Sequence, residues 1–307
     1  MMRKFVNCFS CLFGQIPGVF GRAYLPFCSD YLGLGNRLKG LCNFYARGYR
    51  KFVVLWNTKC WVTERWDTLF ELPSAQMRVF HPGDWLYSFF HFCFRRFSPT
   101  GIVREEMPFW SFILPPELRR EEFKHRWHFS PRPTYSVDWW FDRTPDDVKA
   151  YFLPFFNSLK PSKRVQERIK TCHLPENAIG VQIRNTDNRA DIKDVASLDS
   201  MFAVMERFPT ERPFFVSCMT ADVSKAVRRR FGARVIELDN KDCHSMVDAV
   251  ADMWLLGQCT DLIASPESTF SEVAWWWGGC RSKVTMLTAE YNQGFLDSVC
   301  AAADELK

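Results

Sequence analysis

From about Leu159 onward, short apolar runs alternate five times with segments of helical period, joined by connections of a few residues. No other feature restricts the fold of this 307-residue chain so much. "LKPSKRVQERIKTC" opens with Pro161 and a candidate N-cap at Ser162, and it spaces Val165 and Ile169 on one helical face. "AIGVQIR" follows as an apolar run of the kind buried in a parallel sheet. The helix "LDSMFAVMERF", the strand "PFFVSCM" and the helix "ADVSKAVRRRFG" come next. The last of these has three arginines in its final turn and Gly232 beyond them, as a helix C-terminus favours. The strand "ARVIEL", the helix "SMVDAVADMWLLGQC", the strand "DLIAS", the helix "TFSEVAWWWGG", the strand "KVTMLT" and a last helix "QGFLDSVCAAADELK" complete the pattern. Such a sequence predicts an α/β fold, with a doubly wound, mainly parallel sheet in its C-terminal half.

The N-terminal half has different chemistry. Residues 1–160 hold 37 of the 49 aromatics and 12 of the 17 prolines, and carry a net +8 against −3 for the remainder. Two segments so unlike are expected to be two structural units. We place them at 1–158 and 159–291, followed by a C-terminal helix, 292–307, able to return to the first unit. "YLGLGNRLKGLCNFYARGY" sets Gly33 and Gly35 at the head of a helix-like stretch and "KFVVLW" reads as the next strand, the start of an α/β unit. From Glu71 to Asp147 the chain is rich in Pro, Trp and Arg and has no clean period, so irregular structure with short strands or helices is expected there. The total charge of +5 is too mild to imply nucleic-acid binding.

Ten of the twelve cysteines are scattered singly, and only Cys8 and Cys11 form a CxxC, without the second pair a zinc ribbon needs. Runs such as "FFVSCM" suit a thiol packed as a small hydrophobe. Mostly free thiols favour a reducing compartment. No stretch has the 18 or more apolar residues of a membrane span, and the N-terminal apolar region is broken by Asn7, Ser10, Gln15 and Pro17. A folded or membrane-surface segment is expected there, and the localisation expected is cytoplasmic. A Golgi or ER-luminal setting is the alternative if an anchor has been removed.

Ligands of a doubly wound sheet sit beyond the carboxyl ends of its strands. The residues there are Arg184, Asn185, Thr186 and Asp187 after the first strand, Thr220 and Asp222 after the second, and Ser265 to Ser271 after the fourth. An arginine, carboxylates and hydroxyls at a helix start form a plausible nucleotide-diphosphate pocket, because helix-start amides and guanidinium forks bind phosphate oxygens. The chain contains no Asp-x-Asp to hold a metal against a diphosphate, and no metal is expected. Arg184 with helix-start donors is the other way to stabilise that leaving group. For a general base the candidates are Asp191 and Asp194 in the loop after Arg184, with Asp30 or Asp84 as further choices. Solvated loop carboxylates are the alternative. His91, His125 and His128 lack metal-ligand spacing, and Trp275–Trp277 read as a buried helix face. Trp139 and Trp140 are candidates for stacking on a sugar ring or for core packing.

Three motifs occur together: "GLGNRLKGL" near the N-terminus, "IGVQIRNTDN" in mid-chain and "DMWLLGQCTDLIASPESTFSEVAWWWGG" near the end. In order and spacing they resemble the GDP-fucose-dependent fucosyltransferases, whose branches include the α1,6-type, the bacterial nodulation enzyme, the α1,2-type and the protein O-fucosyltransferases. The resemblance runs from about Tyr31 to Gly279, with nothing contributed between Phe80 and Asp147. Arg184 and Asp187 match the family's mid-chain Arg and Asp, while Asp252, Ser268, Thr269, Phe270 and Ser271 fit its third motif.

The resemblance implies a GT-B fold, two Rossmann-like domains facing across a cleft, with the first on the acceptor side and the second binding the nucleotide sugar. It implies that Arg184 contacts the β-phosphate, that Asp252 binds the guanine, and that Ser268, Thr269 and Phe270 hold phosphates and base. Asp222 matches the second Asp of a Thr-Asp-Asp segment, beside Thr220 and with Ala221 in place of the first. Asn36 and Arg37, on the loop of Gly33 and Gly35, would face the diphosphate and sugar. Gln182 stands where many relatives have His, and Asn185 where two branches have a second Arg; both differences bear on the donor sugar. The function implied is an inverting, metal-independent glycosyltransferase. It would move fucose from GDP-fucose to a hydroxyl of an oligosaccharide or glycoprotein, without a cofactor beyond the donor substrate. The alternatives are another nucleotide sugar on the same scaffold, or an inactive nucleotide- or glycan-binding protein.

Overall fold

A computed structural model describes residues 23–25, 33–46, 52–59, 61–73, 77–89, 144–184, 197–265 and 268–287. Outside them lie Cys8, Cys11, Asp30, His91, His125, His128, Trp139, Trp140 and the final helix expected at 292–307. The chain divides into two compact units, Met1–Val165 and Gln166–Lys307.

The first unit contains a three-stranded sheet in the order β1 (Ala23–Leu25), β2 (Phe52–Leu55) and β3 (Arg78–Phe80), paired in parallel throughout. β3 is a short strand inside the stretch that shows no sequence period. Helix α1 (Leu34–Ala46) buries Leu38, Leu41, Cys42 and Tyr45, the 3–4 spacing that puts side chains on one face. It packs on α3 (Asp146–Ser158), whose Val148, Phe152, Phe155 and Phe156 repeat that spacing. The Tyr45 and Phe155 rings meet edge to face at 5.6 Å, and the Cys42 thiol donates to the Phe152 carbonyl at 3.6 Å. Between β2 and β3, the short helix α2 (Trp66–Leu69) inserts Trp66 against Trp56, ring centroids 5.2 Å apart. Many of the described aromatics of this half fill a core, whereas Trp61, Trp85 and Phe89 are exposed.

The second unit begins inside α4 (Lys163–Lys170), capped as its sequence predicts: the Val165 N–H donates to Ser162 Oγ at 3.3 Å. Its sheet has five strands, all parallel: β4 (Ile179–Ile183), β5 (Phe214–Cys218), β6 (Val235–Ile236), β7 (Asp261–Ala264) and β8 (Lys283–Met286). The strand order is β6-β5-β4-β7-β8, so the chain winds outward from β4 in one direction and then starts again in the other at β7. Helices α5 (Leu198–Met205), α6 (Ala221–Phe231), α7 (Met246–Gln258) and α8 (Thr269–Trp277) make the connections. Ile179, Val181 and Ile183 alternate onto one face, in a core shared with Met201, Val204, Val223 and Val227.

The run "ARVIEL" forms less strand than its composition predicts. A 3-10 turn, Gly232–Arg234, continues from α6 with Gly232 at φ +56°, and only Val235 and Ile236 pair with β5. On the other side of the sheet α7 and α8 press together. A Cβ at Gly278 would lie 2.0 Å from the Gly257 carbonyl oxygen, so this crossing has room for glycine alone. Trp275, Trp276 and Trp277 are buried, as their apolar run predicts, with Trp277 edge to face on Trp254 at 5.0 Å.

Candidate functional site

In the second unit the direction of winding reverses between β4 and β7, which places a crevice at their carboxyl ends. Gln182 lies near the end of β4 and Arg184 just beyond it, Ser265 follows β7, and Ser268 precedes α8. One side chain locks the geometry. Ser265 Oγ donates to the Gln182 carbonyl at 2.9 Å and accepts from the Arg184 backbone N–H at 3.0 Å, bridging the two strands where their backbones part. Arg184 is half-buried at that point. Ser268 is the N-cap of α8 and accepts from the Ser271 N–H at 3.5 Å, while the Ser271 hydroxyl donates back to the Ser268 carbonyl at 3.0 Å. Thr269 and Phe270, half-buried, make up the first turn of that helix. An arginine just after one strand and a capped helix start just after its neighbour are groups that can take a phosphate.

Asp252 lies deeper. It projects from the middle of α7 and is 1% exposed; the Ser217 hydroxyl donates to its Oδ2 at 2.7 Å, and Lys241 Nζ donates to the same oxygen at 2.5 Å. The ammonium is also held by the Cys218 carbonyl, at 3.0 Å. Burial pushes the Asp252 carboxyl up from the ordinary carboxylate value, against Lys241 and the Ser217 hydroxyl, which favour the charged form. For Lys241 the balance falls the other way: burial works against the ammonium, yet Asp252 holds its pKa above the ordinary value. Asp252 Oδ1 and the side-chain oxygen of Gln182 are buried without hydrogen-bond partners among the described residues. Gln182 and Ser217 are register partners on β4 and β5, so these polar groups gather on the α7 side of the sheet.

The remaining expected residues divide between those that join this arrangement and those that do not. Thr220 occupies the N-cap position of α6 without a side-chain cap bond, and Asp222 is exposed, 3.7 Å from Lys225 on its own helix. Asn185, Asp187, Asp191 and Asp194 lie outside the described residues. In the first unit Gly33 precedes α1 and Gly35 lies within it, the Arg37 N–H closing the first turn onto the Gly33 carbonyl at 3.2 Å. Asn36 is buried, and so is Arg37, whose guanidinium donates to the Asn57 carbonyl at 2.5 Å and stacks 4.9 Å over the Trp56 ring. Asp84 accepts from the His81 N–H at 2.7 Å.

Two features have no counterpart among the expected site residues. Lys241 follows Asn240, which takes the left-handed φ of +49° that asparagine tolerates, and this turn aims the lysine inward. The "DNKD" run marks the turn in the sequence but not the direction of the lysine. Glu237, past β6, accepts from Ser224 Oγ at 2.8 Å and Arg228 Nε at 2.7 Å, so one of the three arginines at the end of α6 has a buried partner. Burial pushes the thiol of Cys218, at the end of β5, up to about 11, which disfavours the thiolate form.

No family model matches the chain, and no curated protein matches it. Among solved structures, a mutant of Arabidopsis thaliana FUT1 in complex with GDP aligns over 94% of this chain and 76% of its own, at 15% identity and a TM-score of 0.51. The chain shares the fold of that plant protein. This is the α/β, GT-B class expected from the sequence. The NodZ α-1,6-fucosyltransferase soaked with GDP-fucose aligns over 81% of this chain and 91% of its own, with 20% identity and a TM-score of 0.48. POFUT1 in complex with GDP covers 87% and 99%, with 12% identity and a TM-score of 0.44. Among the described residues no helix is long and apolar enough to cross a membrane.

Proposed function

We propose that the chain is a glycosyltransferase that uses GDP-fucose and transfers the fucosyl group, with inversion and without a metal, to a hydroxyl of an oligosaccharide or glycoprotein. One observation carries the reading: Arg184 and the Ser268-capped start of α8 flank the switch point of a sheet whose fold is shared with a protein that was crystallised with GDP. In the transfer, the oxygen of the acceptor hydroxyl attacks the anomeric carbon, and its proton passes to a carboxylate base for which Asp191 and Asp194 are the candidates. The bond to GDP breaks, so that GDP departs with an added negative charge. Arg184, permanently cationic, and the first N–H groups of α8 supply a fixed positive field for that charge. Asp252 and Gln182, each with a buried oxygen left over, are the groups proposed to read the base. The lysine already bound to Asp252 favours a second reading, the same scaffold with another nucleotide sugar.

Incubation with a panel of GDP- and UDP-sugars, followed by measurement of released diphosphate, distinguishes these. Release from GDP-fucose alone is the expected outcome; release from a different donor establishes the second reading. A thermal shift with GDP but no turnover would reduce the chain to a nucleotide-binding protein, and no shift with any nucleotide overturns both readings.

A further inference from the structure

The first unit contains a cavity of about 570 Å³ that the donor chemistry leaves unused, bounded by α2, β3 and the start of α4. Its rim carries more positive than negative charge. Arg78, Lys163 and Arg164 line it and have no ion-pair partner among the described residues, Arg65 is engaged by Asp67, and Glu71 is the other acid in the lining. The helix adds to this field. Ser162 Oγ caps the Val165 N–H, which leaves the N–H groups of Lys163 and Arg164 at the positive end of α4 without partners among the described residues.

Two of the lining residues carry a further donor each. Trp66 is 1% exposed, and its indole N–H is buried with no acceptor. His81, 3% exposed, accepts the Trp66 backbone N–H on Nε2 at 3.0 Å, so the neutral ring carries its proton on Nδ1. That Nδ1 has no hydrogen-bond partner; Asp84 Oδ2 is 3.7 Å away, and it already accepts from the His81 backbone. A buried N–H without an acceptor is costly, and here the two residues that carry one line the cavity together with cations and a helix start. Every unsatisfied group asks for the same thing, an oxygen that carries negative charge.

We propose that this cavity is a binding site for an oxyanion, a phosphate or sulfate group, carried as an ester on a small polar body such as a sugar. The exposed Leu72 and the half-buried Val79 provide a surface for that body. The proposal does not rest on the donor assignment, since all the lining residues belong to Met1–Val165. A bound oxyanion would also favour the protonated form of His81, whose pKa is held below 6.5 first by burial and then by Arg65.

The test is calorimetric titration of the full chain with inorganic phosphate, with a hexose 6-phosphate and with the free hexose, at an ionic strength fixed by potassium chloride. One site for the two phosphates and none for the hexose is expected. Tighter binding of the hexose 6-phosphate than of inorganic phosphate identifies the ester as the ligand, and the reverse order identifies the free anion. Lys163→Glu with Arg164→Glu should weaken phosphate binding by about tenfold or more, the worth of one charge-assisted hydrogen bond. Acidic residues suit the first turn of a helix, so this double variant should keep the wild-type urea midpoint. Arg78→Gln, at an exposed position of β3, is the independent second variant. No heat beyond that of chloride, or affinity unchanged in both variants, overturns the proposal.

Discussion

Asp252 shows how much a single side chain here depends on its neighbour. A carboxylate that is 1% exposed is tolerated because Lys241 and Ser217 share one of its oxygens. Lys241→Met should destabilise the chain by about 3–5 kcal/mol, since it leaves a buried charge without its partner. Adding Asp252→Leu should recover most of that loss, and urea unfolding of the single and double variants separates the two outcomes. Ser265 holds a different kind of position, satisfying two backbone groups at the strand ends. Ser265→Ala should cost about 2 kcal/mol in the same assay, because both groups lose their partner. Arg184→Lys tests the site itself. Replacing a planar fork by a point charge should lower turnover of GDP-fucose by about 10²–10³-fold while the unfolding midpoint stays near wild type. Turnover close to wild type would remove Arg184 from the proposed mechanism.

At the scale of elements, the crossing of α7 over α8 sets the position of everything that follows β7. The two helices approach through Gly257 and Gly278, where a Cβ at Gly278 would stand 2.0 Å from the Gly257 oxygen. No rotamer relieves a clash with backbone, so Gly278→Ala should destabilise by about 3 kcal/mol, at the upper end of what overpacking costs. Thermal unfolding checks this, and a neutral result would mean that the helices can separate without loss. The helix ends follow local rules. Ser245 and Ser268 cap α7 and α8, and Ser197 caps α5 by accepting the Ser200 N–H at 3.1 Å. In the second unit, Arg168 grips both oxygens of Asp248 at 2.5 and 3.0 Å, joining α4 to α7 over a long stretch of sequence.

At the scale of the whole molecule, the two units should respond differently to acid. His81, in the first unit, has a pKa held below 6.5 by burial, with Arg65 adding to the effect. A group depressed in the folded state contributes stability that is present above its unfolded value and is lost as pH falls through its folded value. Stability should therefore decline on the acid side of pH 6.5, and hydrogen exchange at pH 5 should rise within Met1–Val165 before Gln166–Lys307. Uniform loosening of both units would contradict this. The alternation of elements in the second unit was open to reading because each strand and helix has its own local signal: β4 is an unbroken apolar run and α8 begins at a serine cap. β6 is shorter than its apolar run predicts, since the glycine that ends α6 leads into a 3-10 turn and, among the described residues, the strand pairs with β5 alone. Arg184 was legible as a strand end, and Ser268 as a helix start. Sequence pattern alone thus determined the order of elements and the set of residues beyond the strands, because periodicity and capping act within a few positions. Tertiary structure alone decided that Lys241 closes on Asp252, that Ser265 ties β4 to β7, and that Arg37 turns to the Trp56 ring. Each of these joins residues that are distant or unpatterned in the chain, and only packing determines which buried polar groups meet.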